Sequence, residues 1–195
     1  MKMVLRIDHV SIAVKDYDKA DAFFTKLLGL VPGGAGDDRS SKYKFQIYSA
    51  GDLSRLELIA PTGDGSFLDS FLKDREGGVH HITFEVSDIN AAREFLEKEK
   101  IPYFGFNDRY ANWKELFIHP SNAFGVLIQF ARFNPHEWIN DSEAVQSGKE
   151  WGISRDVDGF ILSLSHPGGG RVDKHLSADE IDLMIEELIK IRGNI

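Results

Sequence analysis

His9 and His81 stand 72 positions apart in two nearly duplicate strand-like segments, Ile7-Asp8-His9-Val10-Ser11-Ile12-Ala13-Val14 and Val79-His80-His81-Ile82-Thr83-Phe84-Glu85-Val86. A second pair, Glu57 in Leu56-Glu57-Leu58-Ile59-Ala60 and Gln129 in Ile128-Gln129-Phe130-Ala131, obeys the same 72-residue shift. Two imidazoles, a carboxylate and an amide oxygen suit a divalent ion that prefers five or six ligands, such as Co, Ni, Mn, Zn or Fe, and leave one or two positions open. An ion held this way acts as a Lewis acid on a carbonyl that becomes an enolate. A single His on a strand is usually an ordinary hydrogen-bonded residue. Polar groups repeated in otherwise apolar strands are harder to explain without a partner, because burying them unpaired is costly.

The shift extends between these anchors, matching Asp16 to Asp88, Ala20 to Ala92, Phe23 to Phe95, Lys42 to Lys114 and Phe45 to Phe117 without a gap. Each unit is too small to bury a good core alone, so the two should pack together. Residues 4 to 14 alternate with period two, as in a half-buried strand. Asp16 and Asp18 are placed to cap a helix in which Ala20, Phe23, Phe24, Leu27 and Leu28 make one apolar stripe, with Phe23 and Phe24 assigned to the core, and which ends at Gly29. Residues 32 to 41 read as a loop, and strands resume near 43 to 49 and 54 to 60. A short helix near 66 to 73 links the units. The expected fold is α+β, with two tandem βαβββ modules (about 4–61 and 76–133) forming a curved mixed sheet around a metal site. On a strand, residues of one parity share a face, so His9, Glu57, His81 and Gln129 can all point into one cavity.

Residues 134–195 lie outside the duplication and form a C-terminal extension, expected to pack on the domain or on a dimer partner. Pro135 to Trp138 and Asp156 to Gly159 read as irregular covering segments, Phe160 to Leu164 as an added strand, and Pro167 to Gly170 as a turn. Ser177 and Glu180 make a capping box for a last helix, with an apolar stripe of Ile181, Met184, Ile185, Leu188 and Ile189 that must be buried.

The chain has 195 residues, 42% of them apolar, no cysteine and a formal net charge of −8. This balance excludes sequence-independent nucleic-acid binding, which needs clustered Lys and Arg. Without thiols, any metal is held by imidazole, carboxylate, amide or water. The first residues lack the apolar run of a signal peptide, and no stretch approaches the ~20 apolar residues that span a bilayer. A soluble cytoplasmic protein is expected, with no nucleic-acid or membrane partner.

Several segments carry a family resemblance: Leu56-Glu57-Leu58-Ile59-Ala60-Pro61, Gly77-Gly78 followed by the double-His strand, Asp88-Ile89-Asn90-Ala91-Ala92, and Phe117-Ile118-His119-Pro120 with Gly125-Val126-Leu127-Ile128-Gln129. Over residues 5 to about 133 the chain resembles the vicinal oxygen chelate (glyoxalase, bleomycin resistance and dioxygenase) superfamily, and within it the methylmalonyl-CoA epimerases most. The resemblance implies a metal on His9, Glu57, His81 and Gln129, with carboxylates beside it that move a proton at a carbon next to a carbonyl. Glu57 is then both ligand and base. The epimerases usually complete the set with Glu where this chain has Gln129. For a second acid or base, Tyr48, Tyr110, Glu115 and His119 are candidates, with Glu115 expected on a solvated strand edge and His119 in a turn with Pro120. In the loop 107 to 114, where the epimerases carry a Gly-rich stretch, Arg109, Tyr110, Trp113 and Lys114 are candidate substrate-binding residues. The implied function is a metal-dependent isomerase acting on a carbonyl or acyl-CoA substrate as a homodimer. A glyoxalase I-type lyase, a dioxygenase and a non-catalytic binding or resistance protein are the alternatives.

Overall fold

A computed structural model describes residues 3–50, 54–133, 151–165 and 171–193. The first unit runs β1 (Val4–Val14), α1 (Tyr17–Ala22), β2 (Val31–Asp38), β3 (Tyr43–Ala50) and β4 (Ser54–Pro61). After a linker helix α2 (Asp69–Leu72), the second unit repeats the order as β5 (Gly77–Val86), α3 (Ile89–Lys98), β6 (Phe104–Asn107), β7 (Trp113–Ile118) and β8 (Leu127–Phe133). Together they form one mixed eight-stranded sheet, ordered β2-β3-β4-β1-β5-β8-β7-β6. That order is its own mirror across the antiparallel β1/β5 seam, so the duplication reappears as an internal two-fold relation.

Asp16 and Asp88 cap α1 and α3 by accepting from Lys19 N, and from Asn90 N and Ala91 N. α3 buries Ile89, Ala92 and Leu96 against Leu116, Ile118 and Phe130 of β7 and β8. The corresponding first-unit stripe is only partly core. Phe24 packs beside Tyr48, whereas Phe23, Leu27 and Leu28 are exposed. The cause is a change of pitch: α1 stops at Ala22 and Phe23–Leu27 continues as a π-turn, which rotates the stripe away from its 3.6-residue line. Gly29 ends the segment at φ +70°, as expected.

Residues 31 to 38, read as mostly loop, form the edge strand β2. Its ladder to β3 shifts register between Pro32 and Ala35, and an edge strand tolerates the proline, glycines and bulge that argued against pairing. The gapless shift also fails at one place. Glu57 faces Ile47 across β3/β4, but Gln129 faces Phe117, not residue 119, across β7/β8. β7 is therefore displaced two residues relative to β3, a slip that keeps every side chain on its own face.

In the extension, β9 (Trp151–Asp156), β10 (Gly159–Ser165) and β11 (Arg171–Leu176) form a separate antiparallel sheet ordered β11-β10-β9, followed by α4 (Ala178–Arg192). Residues 156 to 159 are a hairpin connection, with Asp156 paired to Gly159, not a covering segment; the added strand is β10. The segments at 135 to 138 and 167 to 170 lie outside the described residues. The capping box of Ser177 and Glu180 is present. The stripe on α4, expected to be buried, is largely exposed: Leu188 and Ile189 retain 58% and 64% of their surface. No helix among the described residues is long and apolar enough to cross a membrane.

Candidate metal centre

The seam between β1 and β5 places the histidines. His9 lies opposite Thr83 and Ser11 opposite His81, which brings the two imidazoles to 5.8 Å between ring centroids. β4 runs parallel to β1 with Glu57 beside Ser11, and β8 parallel to β5 with Gln129 beside Thr83. All four side chains line one cavity of about 610 Å³.

Glu57 Oε2 is 3.6 Å from His9 Nε2 and 3.4 Å from His81 Nε2, and it is buried without a hydrogen-bond partner. A carboxylate oxygen so placed is costly unless a cation shares it. His9, Glu57 and His81 each offer one ligand atom, all within 4.8 Å of one another, so these residues fit a divalent ion. The fourth residue, Gln129, accepts from Thr83 Oγ1 at 2.5 Å through Oε1 and donates to Glu115 Oε2 at 2.7 Å through Nε2.

His9 is held from behind. Its Nδ1 lies 2.7 Å from Asp8 Oδ2, and Asp8 also accepts from Arg6, at 3.0 Å, and from Arg55. The Asp8 carboxylate at Nδ1 holds a proton there, and Nε2, 2.9 Å from Thr83 Oγ1, is the nitrogen on the Glu57 side. Burial pushes the Asp8 carboxyl up, but His9 and Arg55 outweigh it and hold it below its ordinary value. Burial alone would lower His9; the hydrogen bond to Asp8 and the proximity of Glu57 instead raise it to about 9. His81, with no such carboxylate behind it, is driven by burial to about 4 despite the attraction of Glu57. Glu57 is pulled down to about 2, against its burial, by the two histidines. Glu115 is pushed up by burial, against the hydrogen bonds from Trp113 and Gln129, and the charge of Glu57 adds to the rise.

Glu115 therefore does not lie on a solvated edge. It lines the cavity, because Trp113 and Glu115 share the inward parity of β7 and Trp113 Nε1 donates to its Oε2 at 2.8 Å. Of the loop candidates, Tyr110 and Trp113 line the cavity, whereas Arg109 and Lys114 are not among the lining residues. Lys114 has the opposite parity and pairs with Arg132 across the ladder. Tyr48 is buried elsewhere, donating to Asp21 at 2.6 Å, and His119 accepts from Ser121 N at 3.2 Å, in the expected turn with Pro120.

Two residues beside the ligands, Asp8 and Thr83, were missed by sequence reasoning, and Glu115, a named candidate, was placed on the wrong side of its strand. Asp8 adjoins His9, and strict alternation would put it on the opposite face. A register irregularity between Ile7 and His9 lets both line the cavity, as bulges do.

The sheet is that of a known class. Residues 8–117 match the Glyoxalase/Bleomycin resistance protein/Dioxygenase superfamily, and the chain belongs to it. Among its relatives is the ethylmalonyl-CoA/methylmalonyl-CoA epimerase of Cereibacter sphaeroides, 36% identical over 131 residues that cover 65% of this chain and 97% of that protein. The human mitochondrial methylmalonyl-CoA epimerase is 36% identical over 127 residues, covering 64% of this chain and 72% of the relative. The crystal structure of methylmalonyl-CoA epimerase from Mycobacterium tuberculosis superposes with a TM-score of 0.63 at 28% identity, covering 69% of this chain and 92% of that one.

Proposed function

We propose that this protein is a metal-dependent acyl-CoA epimerase that inverts a carbon next to a thioester carbonyl by way of an enolate. The observation that carries this reading is the partnerless Glu57 oxygen aimed between His9 and His81. The epimerase relatives support the substrate class. His9, Glu57 and His81, with Gln129 as a neutral fourth ligand, would hold a divalent ion of the Co, Ni, Mn, Zn or Fe group. Such an ion supplies Lewis-acid stabilisation of negative charge on the carbonyl oxygen.

The chain's own groups move the proton. Glu57 comes from the first unit and Glu115 from the second, and both line the cavity. Their environments push them apart, Glu57 toward the ionised form and Glu115 toward the protonated form, which is the arrangement for one base and one acid. Glu57 removes the proton on one face of the carbon, and the carboxyl of Glu115 returns one on the other. Gln129 and Trp113 hold Glu115 in place through their hydrogen bonds to Oε2. Tyr110 and Trp113 contribute to the substrate wall, and Arg109, off the lining, is left as a contact for the distal part of a CoA ester; Lys114, on the opposite face of β7, is left out of the substrate path.

A cytosolic homodimer is the assembly we infer, with the exposed face of α4 as the surface a second copy would cover. Light scattering tests it: a mass twice 21.9 kDa supports the dimer and a single mass refutes it. The metal assignment is tested by elemental analysis of untagged protein beside His9→Ala and His81→Ala. The expected result is near-stoichiometric metal in the wild type and strong loss in both variants; metal retained by both would overturn it.

A further inference from the structure

The 72-residue shift that relates His9 to His81 also relates Asp8 to His80. Both are extra residues in the β1/β5 ladder. Ile7 faces Phe84 and His9 faces Thr83, which leaves Asp8 without a partner residue; Ser11 faces His81 and Ile12 faces Val79, which leaves His80 without one. Each therefore stands at a bulge beside a ligand histidine, and a bulge re-aims its side chain. Asp8 and His80 accordingly line the same cavity as His9 and His81. Asp8 meets Nδ1 of His9 with a carboxylate oxygen at 2.7 Å, and His80 meets Nδ1 of His81 with its own Nδ1 at 2.9 Å.

The two backing groups sit in unlike surroundings. Arg6 and Arg55 donate to Asp8, whereas His80 is enclosed by rings from the linker between the units. Phe67 meets its imidazole edge-on at 5.7 Å and Phe71 at 5.0 Å, and the Arg75 guanidinium lies 4.5 Å from the centre of the Phe71 ring. The linker is itself anchored: Leu68 and Leu72, joined by a bond from Leu72 N to Leu68 O, are buried against Ala13 and Ile59. Phe67 and Phe71 have the same four-residue spacing, so they share an adjoining face of this turn.

Nε2 of His81 is the nitrogen on the Glu57 side, at 3.4 Å. An ion on Nε2 leaves the single ring proton on Nδ1. The atom placed to accept that proton is Nδ1 of His80, whose own proton is then on Nε2.

We infer that His80 is the positioning residue of His81: it accepts the Nδ1 proton, fixes the tautomer that presents Nε2 to the ion, and is held in place by Phe67 and Phe71 of the linker. This rests on the metal reading above. The two units thus back their ligands differently, a carboxylate behind His9 and a neutral imidazole behind His81. Because a carboxylate raises ligand basicity more, His81 is the weaker donor of the pair and leaves more of the ion's charge for a substrate oxygen.

The test compares the untagged full chain with His80→Phe, which fills the space but has no acceptor, and His80→Asn, whose amide oxygen takes the place of Nδ1. In a chelator competition for zinc, His80→Phe should lose affinity about 10- to 100-fold, and His80→Asn should stay near wild type. Equal affinity in all three proteins, or equal loss in both variants, overturns the inference and leaves the metal reading intact. A second measurement needs no variant. In zinc-loaded, isotope-labelled wild type, a nitrogen–nitrogen scalar coupling across the hydrogen bond should link the two Nδ1 nuclei, with the proton on His81. Absence of that coupling, or a proton on Nδ1 of His80, overturns the inference. Wild-type protein that takes up no metal overturns both the inference and the metal reading.

Discussion

Asp8 and His9, adjacent on β1, form a buried carboxylate–imidazole pair with Oδ2 2.7 Å from Nδ1. Because both line the same cavity, the pair fixes which His9 nitrogen faces the centre. Partners of this kind set ligand orientation and basicity, and their loss usually weakens metal affinity about 10- to 100-fold. Asp8→Asn should show a loss of that size in a chelator competition. Unchanged affinity would mean that Asp8 serves only the Arg6 and Arg55 ion pairs.

Glu115 should separate chemistry from metal binding. Glu115→Gln keeps a side chain of the same shape, so metal content should stay near wild type while deuterium exchange into a thioester falls by about 10² to 10⁴. Glu57→Gln should lower both. Full exchange activity in Glu115→Gln would remove it from the proton path.

Much of this centre was legible because the duplication repeats residue types at fixed spacing. His9, His81, Glu57 and Gln129 sit on β1, β5, β4 and β8, whose pairings are related by the same shift. What was illegible depends on register. The irregularity at Ile7 and His9 that turns Asp8 inward, and the two-residue slip of β7, come from ladder geometry that no residue type announces. The π-turn at Phe23–Leu27 likewise defeats a 3.6-residue reading. The exposed stripe on α4 has a different origin: periodicity marks an apolar face but not what covers it.

The cap of α3 gives a pH prediction. Hydrogen bonds from Ala91 N and Asn90 N hold Asp88 below its ordinary value of 3.8. A carboxyl lowered on folding stabilises above its unfolded value, and the contribution is lost as pH falls through the lowered folded value. Asp88→Ala should cost about 1 kcal/mol at neutral pH and less at pH ~2, where the carboxyl is taking up its proton. Equal cost by denaturant titration at both pH values would contradict the charge-linked cap.

At the entry to the second unit, a Cβ on Gly77 would lie 2.8 Å from the backbone oxygen of Ala13. Backbone cannot give way as a flexible side chain can, so Gly77→Ala should destabilise by about 1 to 3 kcal/mol, and by more than Gly63→Ala, where a Cβ meets nothing within 4 Å. A thermal melt that ranks the two the other way would refute the close β1/β5 approach.

The central claim joins a metal to proton transfer in one cavity. Its most direct measurement is incorporation of solvent deuterium at the α-carbon of an acyl-CoA, followed by mass spectrometry with metal-loaded and chelator-stripped protein side by side. The account predicts rapid incorporation that disappears on stripping and returns on reconstitution. Protein with stoichiometric metal that incorporates no deuterium into a methylmalonyl-CoA or ethylmalonyl-CoA thioester, the substrates named for its relatives, would contradict it.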